Sequence, residues 1–113
     1  MIEGSCHCGA VRLSLPEAPA DLGSCNCSLC RRIGGLWGYY RPDEVVVQDP
    51  DGRLAGYVQG EATLTSWHCA QCGCTTHWSP RDPALERMGV NLRLFDPAIW
   101  EKLPRRLIDG ASW

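Results

Sequence analysis

Eight cysteines stand in a chain of 113 residues, and seven of them fall into two close pairs and a triplet. Cys6 and Cys8 are separated by one residue, Cys25 and Cys27 by one, Cys27 and Cys30 by two, and Cys69 and Cys72 by two. Spacings of this kind let one turn present two thiolates to one ion, which is zinc-ligand chemistry. A disulfide framework is the competing reading, and it belongs to exported chains. The start, Met1-Ile2-Glu3-Gly4, lacks the charged-then-apolar pattern of a secretory leader, so a reducing cytoplasmic setting and metal binding are expected.

Cys6 with Cys8 and Cys69 with Cys72 can each supply two ligands, and together they make a closed four-thiolate set, the usual structural zinc site. Gly9 and Gly73 follow the two pairs and free the backbone to turn its amides toward sulfur. The second constellation is Cys25-Asn26-Cys27-Ser28-Leu29-Cys30, with three thiols and no obvious fourth partner nearby. Three protein ligands with an open position are the pattern of a catalytic or exchangeable zinc. Zinc on three thiolates carries a formal charge of about -1 and would favour an incoming thiolate over generating hydroxide. Two zinc ions, one structural and one exchangeable or catalytic, are therefore expected. Arg31 and Arg32 follow at once and could offset the charge or hold an anionic substrate. The competing view makes Cys25, Cys27 and Cys30 a second structural set completed by Cys74 or a histidine. His77 is a candidate proton shuttle. His7 and His68 read as non-ligands, and the five tryptophans as core or pocket wall, with Trp37 and Trp78 as candidates for a site wall.

The elements that must carry these residues are short. Twelve Gly and eight Pro punctuate the chain, which suits short strands joined by turns. Val11, Leu13 and Leu15 alternate with polar residues as a half-buried strand does, and so do Val90, Leu92 and Leu94. Val45–Val47, Tyr57-Val58, Ala62–His68 and Thr75–Trp78 are further strand candidates, the last two forming a hairpin around Cys69–Cys72. Helix is scarce: Asp96 reads as an N-cap with Pro97 at the first helical position, and a turn of helix through Arg31 and Arg32 would end at Gly34-Gly35. The expected fold is mainly β, with small antiparallel sheets and one short C-terminal helix, and residues 1–113 read as a single domain. Eleven Lys and Arg against 13 Asp and Glu give a net charge of -2, which argues against a nucleic-acid partner. No apolar run is long enough for a membrane span.

Three blocks in order carry a resemblance. They are Gly4-Ser5-Cys6-His7-Cys8-Gly9-Ala10-Val11, then Cys25-Asn26-Cys27-Ser28-Leu29-Cys30-Arg31-Arg32 with Gly34 after it, then Ser66-Trp67-His68-Cys69-Ala70-Gln71-Cys72-Gly73. The chain resembles the glutathione-dependent formaldehyde-activating enzymes, a family that also contains centromere protein V. The resemblance implies a β-tent fold, a structural zinc on Cys6, Cys8, Cys69 and Cys72, and a second zinc on Cys25, Cys27 and Cys30 near which glutathione binds. It also implies a carbon–sulfur lyase-type reaction on S-(hydroxymethyl)glutathione, the adduct of formaldehyde and glutathione. Cys74 stands where the family usually has a small hydroxyl residue. The alternative function is a non-catalytic zinc module that binds a thiol, peptide or protein partner.

Overall fold

The alternating segments do become strands, and they do so in two sheets. The structure is a computed structural model that describes residues 1–59 and 62–112, so Trp113 lies outside the described residues. In the smaller sheet, β1 (Ile2–Ser5) pairs antiparallel with β2 (Arg12–Leu15), and β2 with β5 (Val46–Gln48). The larger sheet has seven strands. From one edge they run β10 (Arg105–Ile108), β3 (Leu22–Cys25), β4 (Trp37–Tyr40), β9 (Met88–Asn91), β8 (Thr75–Pro80), β7 (Leu64–Cys69) and β6 (Leu54–Val58). The fold is mainly β, as the punctuation by Gly and Pro predicts, but one pairing is not antiparallel: β10 lies parallel to β3, with Ile108 opposite Cys25.

Among the described residues two α-helices form, the C-terminal one and the turn through Arg31 and Arg32. The α1 helix (Ser28–Ile33) starts on Cys27, whose sulfur accepts from the Cys30 amide, and stops at Gly34 with φ 70°. The α2 helix (Pro97–Trp100) starts as expected, with the Asp96 side chain accepting from the Ala98 amide. The expected strand through Val90–Leu94 is cut short after Asn91. The Asn91 carboxamide accepts from the Arg93 amide at 3.2 Å, and this local bond turns the chain into a 3-10 helix over Leu92–Leu94. No helix among the described residues is long and apolar enough to cross a membrane.

The core draws on both sheets. Val11, Leu13 and Leu15 meet Leu22, Leu36, Met88, Val90, Leu92 and Phe95 in one buried cluster, which also contains Cys6 and Cys69. The two cysteines of the widely separated pairs therefore enter the apolar interior, while Cys8 and Cys72 remain nearer solvent. The opposite face of the larger sheet is distinct. Gly23 pairs with Trp37, Tyr39 with Gly89, and Gly89 with Trp78. Residues two apart on a strand share a face, so Cys25, Trp37, Tyr39 and Trp78 line one surface. Trp78 lies across Gly89, where its indole occupies the space a side chain would need.

His77 faces the other way, paired with Val90 of the core. It is 5 % exposed, bonds Thr76 Oγ1 through Nδ1 at 2.8 Å and stacks on Trp67. That placement removes it from the face of the second cysteine set and from the proton-shuttle role considered above. Burial lowers its pKa to about 4. Because the folded value is depressed, the unfolded chain takes up the proton first as pH falls below about 6.5, and stability declines down to about 4. A shift of that size corresponds to roughly 3 kcal/mol. Between pH 6.5 and 4 the unfolding free energy of wild type should fall more steeply than that of His77→Gln, by up to one proton's slope, in denaturant titrations at fixed salt. Parallel slopes would mean that His77 is solvated in the folded chain.

Candidate metal centres

The two cysteine pairs that are far apart in sequence meet in space. The first follows β1, where Cys6 donates its amide to Val11 O and Gly9 turns back to Cys6 O. The second fills the β7–β8 connection, where the Gly73 amide returns to Cys69 O at 2.7 Å. Gly9 and Gly73 take φ of 81° and 82°, a left-handed backbone that glycine adopts without steric cost. The Cys6 and Cys8 sulfurs lie 3.6 Å apart, as do those of Cys8 and Cys69. All eight cysteines are free thiols, and these separations are far beyond a disulfide bond of about 2.0 Å. Ligands 2.3 Å from a tetrahedral zinc stand about 3.8 Å from one another. The sulfurs of Cys6, Cys8, Cys69 and Cys72, all within 4.8 Å of one another, fit that ion. Amides turn inward: Val11 N donates to Cys6 Sγ at 3.4 Å, and the amides of Cys74 and Cys8 bring the Cys72 thiol down to about 5.

The second set is also assembled. Cys25 ends β3, Cys27 caps α1 and Cys30 sits in its first turn, with all three sulfurs within 4.8 Å. Each is half-buried. Cys27 N donates to Cys25 Sγ at 3.5 Å and Cys30 N to Cys27 Sγ at 3.3 Å. Burial opposes charge on Cys27, yet the amides of Cys30 and Leu29 and the neighbouring thiols bring it below the ordinary thiol value. Burial, then the Cys27 and Cys25 groups, drive Cys30 the other way. Three thiols crowded together cannot all ionise without a cation, so this set also fits a metal ion. Among the described residues no fourth ligand joins it. Cys74 is not in it: the groups acting on its thiol are the His7 amide, Cys72 and Cys6, beside the first set.

A third segment, which no sequence signal marked, holds the second set in place. Asn26 N donates to Ile108 O, the Asn26 carboxamide donates to Asp109 Oδ1 at 2.9 Å, and its oxygen accepts from Ala111 N at 2.9 Å. Gly110 is buried against the cluster, where a Cβ would come within 2.7 Å of Cys25 Sγ. The rest of the setting was partly expected. Trp37 is buried beneath Gly35 with no partner for its indole N–H among the described residues. Trp78 meets Tyr39 at 6.2 Å. Arg31 and Arg32 are exposed, and Arg32 Nη1 turns back to Ser28 O at 2.7 Å. His7 is exposed, and His68 sits in the β7 ladder opposite Thr75.

The chain is similar to known proteins in sequence and in fold. The model of the glutathione-dependent formaldehyde-activating enzyme family matches residues 1–106. A Halomonas elongata protein, provisionally named a glutathione-dependent formaldehyde-activating enzyme, is 48% identical over 40 residues, which are 34% of this chain and 26% of that protein. The chain thus matches about a quarter of that relative. A Rhodobacter sphaeroides protein of known crystal structure superposes with a TM-score of 0.76 at 33% identity, over 93% of this chain and 100% of the other.

The first set ties segments sixty-one residues apart, so its loss should be felt by the whole fold. Cys69→Ser should reduce bound metal by at least one ion per chain and abolish the cooperative thermal transition, read by elemental analysis and calorimetry. A Cys69→Ser chain that keeps wild-type metal and melts normally would remove these four thiols from any metal-binding role.

Proposed function

Because the chain belongs to the glutathione-dependent formaldehyde-activating enzyme family, we propose that it is a zinc-dependent enzyme that interconverts formaldehyde plus a small thiol such as glutathione with the S-hydroxymethyl adduct. The observation that carries this reading is the contrast between the two sets: four thiols close the first, and three leave the second incomplete among the described residues. Cys6, Cys8, Cys69 and Cys72 would hold a structural zinc, and Cys25, Cys27 and Cys30 an exchangeable one. That second zinc, when bound, supplies a Lewis acid that favours the thiolate form of an incoming thiol.

The chain's own residues do the remainder. The face shared by Cys25, Trp37, Tyr39 and Trp78 gives an aromatic wall beside the reacting sulfur, which excludes water and holds the small carbonyl compound close. In the forward direction a carbon–sulfur bond forms, the carbonyl π bond breaks, and the proton lost from sulfur ends on the new hydroxyl. The reverse is the carbon–sulfur lyase step. Tyr39 is held above its ordinary value, first by burial, so it stays protonated near neutral pH and is suited to donate a hydrogen bond there. Arg31, in no ion pair among the described residues, stands one residue beyond Cys30 and draws anionic thiols toward the cluster. The setting we propose is the cytosol, where such thiols stay reduced.

Cys27→Ser should lose about one zinc per chain together with glutathione-dependent consumption of formaldehyde, and should keep its β-sheet circular dichroism. If it unfolds as fully as Cys69→Ser, the second set is structural and the enzyme reading falls. Full activity in a one-zinc Cys27→Ser protein would equally contradict the role given to the cluster.

A further inference from the structure

The second cysteine set is covered on one side by a turn that contributes no thiol. Asp109–Ser112 follows directly on β10, the strand that sets Ile108 opposite Cys25. It lies beyond residues 1–106, the stretch that the family model matches. Gly110 is buried in this turn, where a Cβ would stand 2.7 Å from Cys25 Sγ and 3.0 Å from Cys27 Cβ. Bare backbone therefore packs against the Cys25 sulfur and leaves no room for a side chain. A thiolate leaves a bound ion by turning about its own side-chain torsion, and a sulfur packed this closely has little freedom to turn.

One side chain holds the turn in place. Asn26 stands between Cys25 and Cys27, and its amide donates to Ile108 O at 3.0 Å, as ladder pairing requires. Its carboxamide carries the attachment further along the chain. The nitrogen donates to Asp109 Oδ1 at 2.9 Å, and the oxygen accepts from Ala111 N at 2.9 Å. Ser112 Oγ donates to the other Asp109 oxygen, so the carboxylate is oriented from two sides. Asp109 is not among the groups gathered around the three sulfurs. The attachment needs one donor and one acceptor on a single planar group, which asparagine has and aspartate lacks. Both carboxamide bonds are exposed to solvent. Such bonds contribute modestly and can open locally while the β3–β10 ladder stays paired.

We propose that Asn26 is a positioning residue that clips the Asp109–Ser112 turn over the second cysteine set and thereby sets how fast a metal ion bound there is released. The proposal rests on the reading that Cys25, Cys27 and Cys30 hold an exchangeable ion, and it adds no ligand to them. The clip acts on this set alone, because the first set is built from the turn after β1 and the β7–β8 connection.

Stopped-flow transfer of zinc from the zinc-loaded full chain to an excess of a chromophoric chelator tests this. Wild type should release its zinc in two phases, the faster one missing from Cys27→Ser. Asn26→Ala and Asn26→Asp should each speed that phase at least tenfold and leave the slower phase unchanged. Gly110→Ala, which puts a Cβ against the Cys25 sulfur, should speed it as well. The double variant Asn26→Asp with Asp109→Asn lets position 109 donate and position 26 accept at unchanged net charge. It should return the faster phase to near the wild-type rate, which loss of stability alone would not do. An unchanged faster phase in Asn26→Ala, an equal acceleration of both phases, or a double variant as fast as Asn26→Asp would overturn the clip while leaving metal binding at the cysteines intact. If wild type releases no zinc from Cys25, Cys27 and Cys30, the clip falls together with the reading it rests on.

Discussion

Everything else in this molecule depends on the meeting of two glycine-ended turns, Cys6–Gly9 and Cys69–Gly73, at four sulfurs. One turn belongs to the three-stranded sheet and the other to the seven-stranded sheet, so their junction fixes how the sheets face each other. A chain of this size has a limited core, and a metal cross-link between segments sixty-one residues apart would remove loop-closure entropy where contacts alone are thin. Cys6 and Cys69 are buried within the apolar cluster itself. Four thiolates gathered there would repel one another and pay for desolvation, and a bound divalent cation would make the arrangement favourable.

The second set depends on the first through the larger sheet. Cys25 is positioned by β3, and β3 is held between β4 and the parallel strand β10. Asn26 then locks the Cys25–Cys27 turn onto Asp109 and Ala111, so the cluster is braced by a segment more than eighty residues further on. Local spacing brings the three sulfurs together, but long-range pairing presents them to the aromatic face. The proposed division of labour follows: a closed junction that organises two sheets, and a braced but incomplete cluster at the end of one of them.

The thiol pairs were legible because both ligands of each pair lie in one turn, and the glycine after it announces the turn. The α2 cap was legible for the same local reason, through Asp96 and Pro97. What escaped depends on pairing between distant segments. Arg105–Ile108 shows no alternation, is largely exposed, and becomes a strand only because β3 offers it an edge. Gly110 gives no sign in the sequence that it must leave room for Cys25. The cations illustrate the limit best. Arg31 and Arg32 adjoin Cys30 in sequence, yet both are exposed and one folds back on its own helix. Arg87 and Arg106, remote in sequence from each other and from every cysteine of the second set, lie 4.0 Å and 6.0 Å from the Tyr39 ring centroid. His77 read first as a strand residue, with the shuttle as a lesser candidate, and its pairing with Val90 puts it in the core.

The central claim is that one set is closed and the other open. A crystal structure of the zinc-loaded chain with glutathione, phased at the zinc absorption edge, addresses it directly. The account predicts two anomalous peaks: one enclosed by Cys6, Cys8, Cys69 and Cys72 alone, and one on Cys25, Cys27 and Cys30 with the glutathione sulfur in the fourth position. A single peak, or a second ion capped by a protein side chain with glutathione elsewhere, would contradict it.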